Sequence, residues 1–157
     1  MDGTIVEGHR KPTIETGLHL AIYRNREEVN AVIHTHPMYS MVYATQGKDI
    51  PLIIDEAARP WEIPVNVHSM HCLVLKNWQT NVKRRWERKP TPYLLHSHGA
   101  VCVGENMDAA FKVATVLEAT ARILYMIEAT GGKPAGISPE NVAVMKDFAK
   151  NHYGQGK

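Results

Sequence analysis

The sequence predicts an α/β domain in which helices cover a central sheet. Short apolar segments typical of strands alternate with helical segments along the whole chain, without an internal repeat or a low-complexity tract. Ala31-Val32-Ile33 is β-branched at its centre and follows a charged stretch, as a buried strand does. The segment from Asn106 to about Ala129 has the apolar spacing of a long amphipathic helix. At 157 residues and 44% apolar, the chain is long enough for one domain with a real core.

The charge and composition of the chain indicate which kinds of binding partner are not expected. A net charge of +2 and a pI near 8.5 give no reason to expect nucleic acid or a membrane surface. The densest basic run, within residues 83–89, is short and typical of a solvated helix face. No apolar run reaches the length of a membrane span, and the N-terminus lacks a signal-peptide pattern. Cys72 and Cys102 fit neither a disulfide framework nor a ligand spacing, which favours reduced thiols in a cytoplasmic protein.

The first helix is predicted to follow a short segment, residues 1–11, that contains a turn and a brief strand at Thr4-Ile5-Val6. Pro12-Thr13 opens the helix, with Thr13 as a plausible N-cap. Glu15 then lies in the first turn, where a carboxylate favours the positive end of the helix dipole. A charged stretch ends this helix before the strand that leads into His34-Thr35-His36.

The middle of the chain predicts a helix and two short strands. Pro37 suits the first turn of the helix, and Gly47 stops it. Ile50–Ile54 reads as an edge-like strand because it contains a proline, and Ile63-Pro64-Val65 is a candidate for another. Residues 66–90 show no legible pattern.

The last third of the chain is clearer. Residues 92–104 predict two apolar strand segments broken at a polar kink, where a histidine meets Gly99 and backbone can approach a ligand closely. Asn106 or Asp108 caps the long helix, and Gly131-Gly132 ends it. Its buried side is predicted to comprise Phe111, Val113, Ala114, Val116, Leu117, Ala121, Leu124 and Ile127. Ser138-Pro139-Glu140 starts a final helix that runs to about Asn151.

The residues themselves predict a metal centre. In a strand, side chains two positions apart leave the same face, so the imidazoles of His34 and His36 are expected to point the same way. With His98 as a third ligand, such a set leaves an open position, as catalytic zinc sites do. Glu15 is the candidate acid/base. The alternatives are a helix-dipole carboxylate for Glu15 and, for His98, a kink histidine hydrogen-bonded to backbone.

The order of these motifs resembles the class II aldolase/adducin family. The resemblance is carried by Pro12-Thr13-Ile14-Glu15 with the helix after it, by residues 31–36, by Leu95–Ala100 and by the long helix from Asn106. It implies a three-layer αβα sandwich with a mainly antiparallel or mixed sheet, a single domain spanning residues 1–157, and commonly a ring-shaped homotetramer.

The resemblance also implies site roles and a reaction. His34, His36 and His98 match the family's zinc ligands, although another divalent metal such as manganese could serve, and Glu15 matches its acid/base. His19 matches a position on the helix with a structural role. The implied activity is retro-aldol cleavage of a small ketose or ketose phosphate, in which zinc stabilises the enediolate and Glu15 returns a proton.

Several positions depart from the family pattern. The chain lacks the family's N-terminal portion, which normally carries a phosphate-binding loop. Thr13-Ile14 stands in place of Ser-Ser, which leaves Thr13 as the substrate-facing hydroxyl and predicts weaker phosphate binding or a substrate without phosphate. Tyr153 is a candidate for the C-terminal tyrosine that protonates the leaving aldehyde in some members; the alternative is an ordinary tail residue.

Other readings use the same motifs. The metal site could serve a decarboxylase or a 4-epimerase, or the domain could be an inactive adducin-like binding module. Residues 66–90 do not follow the family pattern, and a compensated frameshift would account for them. On that hypothesis His68 and His71 are accidental rather than a second metal site.

Overall fold

The computed structural model describes residues 2–58, 64–68 and 92–152. The described residues form both helices and strands, as the sequence predicts, but the predicted alternation is lost where one pair of strands and two pairs of helices follow one another. The helices are α1 Thr16–Asn25, α2 Met38–Gln46, α3 Asp55–Ala58, α4 Met107–Ala129 and α5 Pro139–Asn151. The strands are β1 Ala31–Thr35, β2 Val67–His68, β3 Tyr93–Leu95 and β4 Gly99–Gly104. None of the described helices combines the length and the apolar character needed to cross a membrane.

The described strands form one mixed sheet in the order β1-β4-β3-β2. Strand β4 pairs antiparallel with β1 and with β3, whereas β2 runs parallel to β3. Every residue of β4 is buried except Gly104, which is half-buried. A short strand of apolar residues with neighbours on both edges is therefore the centre of the sheet.

Side-chain alternation along β4 divides the core into two clusters. Ala100 and Cys102 belong to the larger cluster, with buried residues of α2, α3, α4 and α5. Val101 and Val103 point the other way and pack with Leu18 and other residues of α1. Helices therefore cover both faces of the sheet, and the predicted three-layer αβα arrangement is confirmed.

Several helices begin or end at the capping residues that the sequence predicts. Asn106, rather than Asp108, caps α4: its Oδ1 accepts a hydrogen bond of 2.8 Å from the Ala109 amide. Ser138 caps α5 through its Oγ, which accepts from the Asn141 amide at 3.3 Å. Gly47 ends α2 in the left-handed conformation, at φ 67°.

Predictions for the strands near Thr4 and Ile50 are wrong. Residues 4–6 have no strand partner in the described part of the chain, and the Val6 side chain is 96% exposed. Between Ile50 and Ile54 only Ile50 pairs, through an isolated bridge with Val65. Pro51 has no amide hydrogen to donate, so the ladder stops after one residue.

Two predictions for the helices also need correction. Helix α1 begins at Thr16 with Glu15 as its N-cap residue, so Thr13 is not the cap. The Thr13 hydroxyl donates to the Glu15 carboxylate and accepts from the Glu15 amide at 3.3 Å, so it reaches the N-cap residue and no amide inside α1. Phe111, predicted to be buried, is 65% exposed on α4 because the buried stripe runs through Ala110, Val113 and Leu117 on the opposite side.

Candidate metal centre

Three histidines far apart in the sequence converge at the end of β1. The ligand nitrogens of His34, His36 and His98 all lie within 4.8 Å of one another. The Nε2 atoms of His34 and His98 are 2.9 Å apart. The ring centroids of each pair are separated by 4.9 Å. The structure thus gathers the three imidazoles that the sequence singled out.

Strand β1 presents the first two of these rings. Val32 belongs to the cluster beneath α1, and His34 lies two residues further along the same face, opposite Val101 of β4. His36 follows just beyond the last residue of the strand. Burial falls along this face, from the buried Val32 to the half-buried His34 and the exposed His36. The rings therefore lie where the core opens to solvent.

The turn between β3 and β4 presents the third ring. Ser97, at its centre, has a φ of 56°, a left-handed conformation that costs a non-glycine residue on the order of 1–3 kcal/mol. Two backbone bonds hold the turn: Ser97 N donates to Ala44 O at 3.2 Å, and His98 N donates to Leu95 O at 2.9 Å. The surrounding backbone therefore fixes where His98 leaves the chain.

Gly99 makes room for the convergence. A Cβ atom at this position would lie 2.5 Å from His36 Cδ2, 2.6 Å from the Thr35 carbonyl oxygen and 3.1 Å from His34 Cε1. No side chain fits at such distances. The sequence predicted close approach of a ligand to this glycine; in the structure, the groups that approach it are the imidazoles themselves.

Backbone contact and burial prepare the imidazoles to bind a cation. His34 Nδ1 lies 2.9 Å from the Ala100 carbonyl, so Nδ1–H donates there and the lone pair of Nε2 faces the other rings. Burial lowers the pKa of His34, although the Ala100 carbonyl opposes this. Burial also lowers the pKa of His98, assisted by the neighbouring rings of His34 and His36. Neutral imidazoles are the form that ligates metals.

This donor set fits a divalent metal such as zinc. Zinc–nitrogen bonds of about 2.0–2.1 Å in tetrahedral geometry separate ligand nitrogens by roughly 3.3 Å. That separation lies between the observed 2.9 Å for the closest pair and the 4.8 Å limit for the set. Three nitrogens also leave a tetrahedral ion one position short, and the exposed His36 side is open to solvent.

Glu15 is the N-cap residue of α1, and its charge interacts with the rings of this cluster. Its side chain makes no capping bond to α1. The hydrogen bond from Thr13 lowers the pKa of Glu15, and the charges of His34 and His98 lower it further. The carboxylate therefore lies within electrostatic range of both rings.

Of the remaining predicted residues, some belong to the described part of the chain and others do not. His19 is half-buried, and burial, followed by the charge of His34, lowers its pKa; it therefore lies near the centre, on α1. Thr13 is bonded to Glu15, and its contact with substrate stays a prediction. Tyr153, His71 and the His68 side chain lie outside the described residues.

Sequence reasoning missed Ser97, whose serine side chain gives no sign of a left-handed turn.

Comparisons with known proteins show which proteins the chain is similar to. Residues 1–125 match the family described as the class II aldolase and adducin N-terminal domain. A 5-deoxy-D-ribulose 1-phosphate aldolase of Bacillus thuringiensis is 32% identical over 161 residues, which cover 100% of this chain and 71% of the relative. An L-ribulose-5-phosphate 4-epimerase of Salmonella paratyphi B is 28% identical, over 99% of this chain and 74% of the relative. The solved structure of an L-fuculose 1-phosphate aldolase superposes with a TM-score of 0.83 at 27% identity, over 95% of this chain and 69% of that one.

Proposed function

The chain belongs to the class II aldolase and adducin family, and we propose that it is a metal-dependent lyase that cleaves a small ketose phosphate by retro-aldol chemistry. The observation that carries this proposal is the convergence of three imidazoles beside the Glu15 carboxylate. Zinc is the proposed metal, and manganese is a possible substitute. A cation held by His34, His36 and His98 would supply Lewis acidity toward the oxygens of a bound ketose.

Glu15 is the proposed acid/base. The Thr13 hydrogen bond keeps its pKa low, so the side chain is an ionised carboxylate at neutral pH. It can therefore take the proton of the substrate hydroxyl as the adjacent carbon–carbon bond breaks and the aldehyde leaves. The same carboxyl group then returns the proton to the carbon that kept the bonding electrons. Tyr153 is the proposed hydrogen-bond donor to the oxygen of the leaving aldehyde, a contact that involves no net proton transfer.

The substrate class follows from the relatives. Two of them are named for cleaving a five- or six-carbon sugar phosphate, and a third for epimerising one. Retro-aldol cleavage followed by re-addition to the opposite face of the aldehyde gives epimerisation, so both activities share the bond-breaking step and differ in whether the carbon is then protonated. We place this chain with the lyases because the aldolase is the more similar of the two curated relatives.

A subunit interface is part of the proposal. Helices α4 and α5 expose large apolar side chains to solvent; these are Met107, Phe111, Tyr125, Met126, Val144 and Phe148. Apolar surface of this kind is typical of contacts between copies. The proposed assembly is a homotetramer that acts in the cytoplasm.

The test is an assay of aldehyde release. The purified chain is loaded with Zn²⁺ and incubated with L-fuculose 1-phosphate and with 5-deoxy-D-ribulose 1-phosphate. We expect turnover of at least one of them, abolished by a chelator. Glu15→Gln should keep bound zinc and lose turnover, since the amide cannot take up a proton.

The alternatives give different products in the same assay. A 4-epimerase returns a ketose phosphate of unchanged length, and a decarboxylase acts on a hydroxy-acid panel with release of carbon dioxide. A binding module turns over none of these substrates and retains no stoichiometric zinc; that result contradicts the proposal.

A further inference from the structure

Helix α2 begins two residues after His36 in the sequence, and its N-cap residue provides no capping side chain. His36 is followed by Pro37, the N-cap residue, and α2 begins at Met38. The Pro37 side chain has no acceptor, and it makes no capping hydrogen bond. The amides of the first turn of a helix have no partner within the helix. Some other group must satisfy them.

That group is a carboxylate from another helix. Glu118, near the middle of α4, accepts from the Tyr39 amide at 2.8 Å through Oε1. Its Oε2 accepts from the Ser40 amide at 2.9 Å and from Ser40 Oγ at 2.8 Å. Tyr39 and Ser40 are the second and third residues of α2, whose amides an N-cap side chain would normally bind. A negative charge here also favours the positive end of the α2 dipole.

The contact between Glu118 and α2 bears on His36, because His36 lies on a short connection whose two ends are both fixed. On one side, Thr35 is paired with Ala100 in the sheet. On the other side, Glu118 holds Tyr39 and Ser40, and Ser40 is only 1% exposed. His36 lies on the short connection between them. In the described part of the chain no hydrogen bond holds the His36 ring, in contrast with His34, whose Nδ1 is bonded to Ala100.

We propose that Glu118 is a positioning residue of the metal centre: it caps α2 from the neighbouring helix and so fixes the backbone that presents His36. This inference rests on the metal centre of the proposed function. Groups that orient metal ligands from outside the coordination sphere typically contribute a factor of about 10–100 to metal affinity. Glu118 differs from such groups because it orients its ligand through the backbone of an adjoining helix.

The chain offers a matched control on the same helix. Glu128 also bonds from α4 to α2, where its Oε2 accepts from the Tyr43 hydroxyl at 3.2 Å. Tyr43 lies near the other end of α2, away from His36. Replacing either glutamate by glutamine perturbs the contact between the same two helices. Only Glu118→Gln places an amide NH₂ group against backbone amides at the start of α2.

The experiment is a titration of the metal-free full chain with Co²⁺, followed by the visible absorption of the bound ion. We expect Glu118→Gln to lower Co²⁺ affinity at least about tenfold, whereas Glu128→Gln leaves it unchanged. Amide hydrogen exchange in the metal-free chain should accelerate at Tyr39 and Ser40 in Glu118→Gln only. Wild-type affinity in Glu118→Gln, or equal losses in the two variants, overturns the inference.

A rescue variant separates capping from general damage. Pro37→Ser gives α2 its own N-cap hydroxyl, so the Pro37→Ser/Glu118→Gln double variant should regain most of the lost affinity. Failure of the rescue overturns the capping explanation. Should Glu118→Gln not fold, Glu118→Asp decides instead, because the shorter side chain draws the carboxylate away from the Tyr39 and Ser40 amides: a reduced Co²⁺ affinity supports the inference and an unchanged one overturns it. If the wild-type chain itself binds no Co²⁺, the proposed function falls as well, which distinguishes the two failures.

Discussion

The two faces of strand β4 illustrate two uses of one sheet. On one face, Ala100 and Cys102 lie under α2 and α4 in a cluster that is buried throughout. On the other face, called the α1 face below, Val101 and Val103 lie under α1. This layer continues along β1 into the half-buried His34. The first face is closed by several helices, while the second is closed by one and ends in polar groups. Both faces therefore contribute buried core, but only the face under α1 continues into the candidate site.

The largest expected effect comes from removing a ligand on the α1 face. His98→Ala should lower the affinity for Co²⁺ or Zn²⁺ by more than about a hundredfold, since even indirect partners of a ligand contribute a factor of 10–100. His96 is the matched control, because it is exposed and lies in the same turn. His96→Ala should leave the affinity unchanged and shift stability by no more than about 0.5 kcal/mol. Equal effects in the two variants would remove His98 from the centre.

The two core clusters can be compared with a pair of leucines. Leu117 of α4 and Leu18 of α1 are both buried, at 0% and 1% exposure. Each change to alanine should cost about 2–5 kcal/mol in urea unfolding. Only Leu18→Ala should also reduce turnover in the folded state, because α1 follows directly from Glu15. If Leu117→Ala impairs turnover equally, the division between the faces is wrong.

Acid should weaken the α1 face. Burial lowers the pKa of His34, His98 and His19 below the ordinary value of 6.5. Below about pH 6.5 the unfolded chain therefore binds more protons than the folded one, and stability falls as the pH falls toward the lowered values. Urea midpoints of the metal-free chain should decrease between about pH 7.5 and about pH 5.5. A His34→Asn/His98→Asn double variant should show a smaller decrease; an unchanged slope would contradict this cause.

Alkaline pH should destabilise the protein through the other face of β4, which carries Cys102. This effect is the smallest of those considered at neutral pH. Burial raises the pKa of the Cys102 thiol to about 12, from an ordinary value of 9.0. The folded state keeps this proton while the unfolded state releases it, so stability is lost as the pH rises from 9.0 toward about 12. Peptide mapping should show slow alkylation of Cys102 by iodoacetamide in the folded chain. Rapid alkylation without unfolding would show that the thiol is accessible.

Local patterns in the sequence predicted much of the framework. The period of two in β1 placed His34 and His36 on one side, and Asn106 and Ser138 were recognisable as caps because their side chains act within a few residues. The three-layer arrangement came from the family resemblance. Phe111 was assigned to the wrong face because α4 has a broad apolar stripe whose centre the sequence does not specify.

Local patterns in the sequence do not specify contacts between distant segments; the grouping of the three histidines was predicted from their chemistry and from the family resemblance. The 2.9 Å approach of His34 to His98 spans 64 positions and depends on the register of β1 against β4. Glu118 reaches Tyr39 across 79 positions, and nothing near Pro37 indicates which acidic residue caps α2. Thr13 is a residue type that often forms an N-cap, but α1 begins only at Thr16, and the amide that Thr13 reaches is that of Glu15.

Gly99 gives this centre a diagnostic position. Because even a methyl group there would occupy the space of the His36 ring, any substitution drives the imidazoles of β1 away from the hairpin that carries His98. A family member that has lost its catalytic role is released from this constraint. The identity of a single small residue beside the third histidine can therefore help sort active members from inactive ones in sequences that have no structure.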